Sequence, residues 1–200
     1  VAAGGDGTIA ETSRGLNVSG LAPPLGLLPM GTVNVLAREI RLPFAPERAA
    51  RVLAAGRVRA LYPGRVNARR FLLMVGVGVD SLAVGALAPR LKRRIGPLAY
   101  LVAALKSISR LKGLEFTVTV DGRAHRAASV IVTRARSYGG PFTIAPEADL
   151  STPRLHVVLM KSDGLWAAIR YGLALITGRL PTLKDVEILP AKEVTIDGPE

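Results

Sequence analysis

Three glycines around a single carboxylate, Gly4-Gly5-Asp6-Gly7-Thr8, form the stretch of this chain best suited to chemistry. Glycines there permit positive φ and keep side chains out of the way of an anion, and a helix that follows would offer its positive end, so the turn reads as a phosphate cradle. Asp6 inside it is unexpected, because a carboxylate beside phosphates is repelled unless it holds Mg²⁺ or accepts a proton from an attacking hydroxyl. A plain reading competes with this one: a Gly/Asp turn in which Asp6 and Thr8 merely cap the helix.

The elements that must hold this turn are legible on both sides of it. Val1–Ala3 would end a strand, and Ile9–Leu16 would form a helix with Thr8 as a candidate cap. The theme repeats with Leu25–Leu28 as a short buried strand, Pro29-Met30-Gly31-Thr32 as a turn, and Asn34–Ile40 as a helix ending before Pro43. Pro46 opens a third helix that reaches Ala55, with Gly56 as its stop. Strand, glycine turn and helix twice over is the pattern of an α/β layer.

Beyond Val58 the pattern becomes β-rich. Phe116, Val118 and Val120 alternate with Thr117 and Thr119, and Asp121-Gly122 signals a two-residue hairpin turn toward a strand over Ala127–Thr133. Leu155–Met160, Val186–Leu189 and Val194–Ile196 are further strands. Leu91–Leu111 and Leu165–Thr177 are helices, the second stopping at Gly178. The division expected is 1–57 and 58–200, an α/β portion followed by a mostly antiparallel β domain with a cleft between them.

Composition narrows the partners. Two hundred residues can bury a real core, 49% are hydrophobic, and 21 Gly with 14 Pro predict many turns. The absence of cysteine removes a disulfide scaffold. A net charge of +12 predicts an anionic partner. Aromatic residues make up only 4% and none is interleaved with the basic ones, which argues against a nucleic-acid surface. Phe71–Pro89 is interrupted by Asp80 and by Gly76, Gly78 and Gly85, so it is no membrane span. A soluble or peripheral protein is expected. No signal peptide is legible, and the start at Val1, directly before the glycine turn, suggests a fragment lacking upstream strands and helices.

Some residues take plain readings. His125 and His156 lack ligand spacing. Trp166 and Tyr171 read as packing on an apolar helix, and the three methionines as scattered core residues. Gly76 and Gly78 read as tight packing, with Asp80 as a polar contact at the cleft. The basic residues Arg90, Lys92, Arg93, Arg94, Lys106, Arg110 and Lys112 flank the apolar run Ile95–Leu105. They read either as a surface that docks on anionic lipid or as solvated helix ends.

Six stretches in order resemble one family. Gly4-Gly5-Asp6-Gly7-Thr8 with Glu11 and Gly15-Leu16 is similar to the nucleotide loop of the diacylglycerol kinase and sphingosine kinase family, in particular its bacterial soluble lipid kinases. Leu28-Pro29-Met30-Gly31-Thr32-Val33-Asn34 with Leu36-Ala37-Arg38 resembles its second motif. Gly64–Asn67 before Phe71, Gly76–Asp80, Tyr138-Gly139-Gly140 before Ala145-Pro146, and Ile196-Asp197-Gly198 follow. The resemblance implies the NAD kinase/diacylglycerol kinase fold: an incomplete Rossmann-like nucleotide domain and an antiparallel β-sandwich domain.

By the same resemblance the chain is an ATP-dependent phosphotransferase acting on a hydroxyl of diacylglycerol or a related lipid, with Mg²⁺ as companion ion. Gly4, Gly5, Asp6, Gly7 and Thr8 would line the phosphates, and Thr32 and Asn34 would add hydrogen bonds. Asp197 and Asp6 are alternative bases, expected to meet across the cleft. Glu200 stands one residue beyond the usual glutamate, whose place Pro199 takes. Where the family has an Asp-Asp-Gly stretch at a structural Mg²⁺, this chain has Ser151-Thr152-Pro153, leaving Asp149 as the nearest carboxylate. Ala10 and Val35 stand where Asn and Asp are usual. Partners implied are a lipid substrate, an anionic membrane surface and a second copy of the chain, with a cytoplasmic setting at the inner membrane surface. A soluble NAD-type kinase and a non-catalytic membrane-associated relative are the other readings.

Overall fold

The computed structural model describes residues 1–18, 23–78, 113 and 115–198. In chain order they form β1 (Ala2–Gly4), α1 (Asp6–Val18), β2 (Leu27–Pro29), α2 (Val35–Glu39), α3 (Pro46–Ala54), β3 (Gly64–Val66), β4 (Arg69–Phe71), β5 (Met74–Val77), β6 (Phe116–Val120), β7 (Arg123–Ala127), β8 (Ser129–Thr133), β9 (Ser137–Tyr138), β10 (Phe142–Thr143), β11 (Leu155–Met160), α4 (Gly164–Ile176), β12 (Val186–Ala191) and β13 (Val194–Asp197). The chain falls into two units, Val1–Met74 with Thr133–Arg154, and Val75–Val132 with Leu155–Glu200. The helix expected over Leu91–Leu111, its basic flanks and Asp80 lie outside the described residues.

In the first unit β1 and β2 pair in parallel, Ala2 opposite Leu27 and Gly4 opposite Pro29. Parallel neighbours need a crossover, and α1 is that crossover. Ile9 of α1 is fully buried and packs with Ala2, Leu27, Leu36, Ala37, Leu42 and Ala49 in one apolar cluster. Pro46 at the start of α3 and Gly56 after it, at φ 65°, bound that helix as expected. Two hairpins were not legible in the sequence. The β3–β4 pair turns at Asn67, φ 51°, and the β9–β10 pair is two residues long, too short to carry an alternation signal.

One buried cation organises the first unit. Arg134 is 2% exposed, and its guanidinium donates to the carbonyls of Tyr62 (2.7 Å), Arg154 (2.6 Å) and Thr152. A planar fork of N–H donors suits this convergence of carbonyls in a way that a point-like ammonium does not.

The second unit is β-rich. Four strands lie in the order β12-β11-β8-β5, and three in the order β13-β6-β7. The β6–β7 hairpin turns through Asp121 at φ 45° and Gly122 at φ 84°, the positive pair that a two-residue primed turn demands. The strand expected over Ala127–Thr133 is corrected at its start: Ala127 ends β7, and the expected strand, β8, begins at Ser129. The chain leaves the three-stranded sheet after Ala127 and joins the other at Ser129, with the Ala128 amide bonded to the Met160 carbonyl between them. All five residues of β8 are buried, which explains why its apolar run shows no alternation.

Tyr171 is buried on α4 with Ala167 and Ala174, whereas Trp166 is 81% exposed. The packing role expected of both holds only for Tyr171, because positions 167, 171 and 174 share one helical stripe and Trp166 lies off it. Tyr171 donates its hydroxyl to Asp185, which also accepts from Ser162 Oγ (2.6 Å) and from Arg170. Burial pushes the Asp185 carboxyl up, but the Ser162 and Tyr171 hydroxyls together with Arg170 outweigh it and hold the group below the usual carboxylate range. A depressed folded-state value means the network's contribution is complete at neutral pH and drains as pH falls through that value. We expect Asp185→Asn to lower stability at pH 7 by about 1–3 kcal/mol. The gap from the parent should narrow below about pH 4, in urea denaturation measured across pH. A pH-independent gap would assign the loss to packing alone.

Candidate phosphate-binding site

The first intrahelical bond of α1 runs from the Ile9 amide to the Gly5 carbonyl (3.1 Å), so Gly5 is the capping position. Thr8, expected as the cap, stands inside the first turn. This geometry leaves the amides of Asp6, Gly7 and Thr8 without an acceptor inside the helix, at its positive end.

The glycines serve closeness rather than unusual dihedrals: none of Gly4, Gly5 and Gly7 is among the positive-φ glycines. A Cβ on Gly4 would stand 2.6 Å from Thr8 Oγ1, and one on Gly5 would stand 3.2 Å from Gly31 Cα. A Cβ on Gly31 would come within 2.4 Å of Gly5 Cα. The two turns that follow β1 and β2 therefore touch backbone to backbone. Gly7 differs: a Cβ there meets nothing within 4 Å, so its bareness has no packing reason among the described residues.

Asp6 ties the turns together. Its Oδ2 accepts from the Val35 amide (2.9 Å) and its Oδ1 from the Leu36 amide (3.0 Å), capping α2 from a residue about thirty positions away. This answers the puzzle of a carboxylate inside an anion cradle: its charge is matched by two backbone donors at another helix start. Asn34, 3% exposed and in the left-handed region at φ 52°, accepts from the Gly31 amide (2.9 Å) and donates to the Gly31 carbonyl (2.7 Å). Its carboxamide thereby fixes the second turn. Thr32 stands exposed at the tip of that turn. Because the Gly5–Gly31 approach leaves no room for a methyl group, Gly31→Ala should lower stability by about 1–3 kcal/mol. Thermal melting of the variant checks this.

The remaining sequence-derived site residues belong to other segments of the chain. Asp197 ends β13, exposed and paired in register with Thr117, and belongs to the second unit, whereas Asp6 belongs to the first. Glu200 lies outside the described residues. Asp149 Oδ1 accepts from the Ser151 amide (2.8 Å) and hydroxyl (2.7 Å). These bonds, and then Arg136 and Arg59, hold its carboxyl below the usual range. No group of three or more acidic, His or Cys residues that could hold a metal ion occurs among the described residues. A carboxylate already bonded to Ser151 and facing two arginines does not fit the structural Mg²⁺ that the resemblance implied at Asp149.

Sequence reasoning also missed Glu39. Its carboxylate accepts from the Arg136 (3.1 Å) and Ser137 (2.7 Å) amides, fastening α2 to the strand segment nearly a hundred residues later. Such a contact leaves no local pattern to read.

Residues 1–66 match the family model described as diacylglycerol kinase catalytic domain, and residues 73–200 the one described as YegS C-terminal NAD kinase beta sandwich-like domain. A diacylglycerol kinase of Mycobacterium tuberculosis (strain ATCC 25618 / H37Rv) is 32% identical over 205 residues, covering 98% of this chain and 65% of the relative. One from Bacillus subtilis (strain 168) is 30% identical over 181 residues, covering 89% of this chain and 60% of the relative. The chain thus spans less than two thirds of the length of these curated relatives. Two solved structures from Bacillus anthracis str. Sterne, the second described as a diacylglycerol kinase, superpose with TM-scores of 0.76 and 0.71. Each is 23% identical and covers 99% of this chain and 66% of the other. Among the described residues no helix is long and apolar enough to cross a membrane. With one family model spanning residues 73–200 and the other the glycine turns, the chain belongs to the diacylglycerol kinase and YegS-like family.

Proposed function

We propose that the protein serves transfer of the γ-phosphoryl group of ATP to a hydroxyl of diacylglycerol or a related lipid alcohol. The observation that carries this reading is the pair of Asp6 bonds to the Val35 and Leu36 amides. They hold two glycine turns against each other and leave the Asp6, Gly7 and Thr8 amides at the positive end of α1. The bare Gly7 gives phosphate oxygens an approach to those amides. Gly4 and Gly5 line the same turn, while Thr32 adds a hydroxyl from the second one, and Asn34 keeps that turn in shape.

Phosphoryl transfer depends on positioning and charge neutralisation more than on covalent chemistry. Part of that neutralisation would come from Mg²⁺ bound with the triphosphate. The acceptor hydroxyl needs a carboxylate to take its proton, and we assign this to Asp197 or Asp6, with Glu200 as the further acidic candidate. In this reading residues 1–57 serve the nucleotide and residues 58–200 the acceptor. The lipid is met at an anionic membrane surface on the cytoplasmic side, where the +12 chain is attracted.

A second reading, a soluble kinase acting on NAD or a similar small molecule, is favoured by the NAD kinase-like description of the model matching residues 73–200. Transfer of labelled phosphate from ATP to a panel of lipid alcohols and, separately, to NAD decides between them. Label in the lipid fraction supports the first reading, label in NAD the second, and label in neither removes both.

A further inference from the structure

A cavity of about 750 Å³ opens in the first unit, and no residue of the two glycine turns lines it. Arg38, Arg41, Arg59 and Arg136 do, together with Glu39 and Asp149. Four arginines lining one cavity make a local concentration of positive charge that attracts anions.

Both acids of the cavity are already engaged. Glu39 accepts from two backbone amides, and Asp149 from the amide and hydroxyl of Ser151. Among the described residues Arg41, Arg59 and Arg136 have no carboxylate within 4.0 Å, although Arg136 and Arg59 act on the Asp149 carboxylate at longer range. Arg38 is held in place, its guanidinium 4.7 Å above the Phe44 ring and its Nε donating to the Val33 carbonyl (3.2 Å). That leaves its terminal nitrogens for a ligand. Arg41, which lines the cavity, sits in the left-handed region at φ 57°, where a side chain is disfavoured by about 1 kcal/mol.

We propose that this cavity is an anion site for a phosphomonoester, separate from the glycine turns. A guanidinium fork matches a phosphate edge with two parallel hydrogen bonds, and a dianion with three equivalent terminal oxygens engages more than one fork at once. All four cations here are arginine, the residue suited to such planar recognition, and none is lysine. The cavity volume is that of a small-molecule site and exceeds what a lone phosphate fills. The ligand therefore carries its phosphomonoester on a larger body, either a free metabolite or the headgroup of a phosphorylated lipid. This inference does not rest on the kinase reading.

The test uses two probes, phenyl phosphate in solution and phosphatidylcholine vesicles with and without phosphatidic acid. The proteins compared are the parent, Arg59→Gln/Arg136→Gln, and Arg179→Gln as an exposed arginine of the second unit. Because Arg59 and Arg136 are exposed, the double variant is expected to melt like the parent. The double variant should bind weaker by about tenfold for each fork removed, and Arg179→Gln should bind like the parent. Loss of phenyl phosphate binding supports a free ligand, and loss confined to phosphatidic acid vesicles supports a headgroup. Equal binding by all three proteins, or no binding of either probe by the parent, overturns the proposal.

Discussion

Asp6→Asn should cut the rate of phosphoryl transfer about a hundredfold or more, while changing the affinity for ATP severalfold at most. The phosphate donors proposed at this site are backbone amides of the first turn of α1, and they survive the substitution. What changes is the acidic group. The carboxylate accepts from both the Val35 and Leu36 amides, whereas a carboxamide offers one oxygen and turns an N–H toward the second amide. One charge-assisted bond is lost and a donor faces a donor, a loss of about 1.5–3 kcal/mol in stability. If Asp6 also serves as proton acceptor, the variant loses that base, and the pH dependence of the rate flattens on its acid limb. Steady-state kinetics across pH, with a melting curve of the same protein, separates the two contributions. Parallel losses in turnover and ATP affinity, with an unchanged pH profile, would make Asp6 a tether alone and leave proton transfer to Asp197. Asp197→Asn then becomes the more damaging change.

The same residue shows how far the sequence could be read. Its neighbours announced a strand, a glycine turn and a helix, because those signals are local: apolar runs, glycine and a carboxylate within eight residues. The spacing also brought out the second turn at Gly31. That the two turns touch, and that Asp6 spends its charge on α2, is a matter of register between β1 and β2, with Ala2 opposite Leu27. No local pattern encodes that register. Leu155–Met160 was legible to the residue because breaker residues stand on both sides, Pro153 before it and Ser162-Asp163-Gly164 after it, whereas the start of β8 was placed two residues early because Ala127, Ala128 and Ser129 carry no turn signal. The charge on Asp149 was readable as a type and misleading as a role. Its surroundings, Arg59 and Arg136, come from segments about 90 and 13 residues away.

Arg134 escaped notice for the opposite reason: an arginine in a β-rich stretch reads as a solvated face, and this one is buried. Its guanidinium joins the carbonyls of Tyr62, Thr152 and Arg154, three points on two segments that no sheet ladder connects. Burial pulls its pKa down and the nearby Asp149 carboxylate resists, so the cation is kept at neutral pH. Arg134→Met fills much of the volume but leaves three carbonyls without donors. The expected loss is about 3–5 kcal/mol, as for other buried charged networks broken on one side. For a chain of this size that corresponds to a melting temperature lower by roughly 10 °C. Arg134→Lys keeps the charge and sheds the fork, so one carbonyl at most is met in good geometry, and it should recover less than half of the loss. The same comparison bears on the Asp149–Arg154 segment, where a metal was expected from resemblance and a guanidinium is found. If that cation is what holds the segment, adding Mg²⁺ or a chelator should leave the parent's melting temperature unchanged. A clear Mg²⁺-dependent rise in the parent would return the segment to a metal and remove Arg134 from that role.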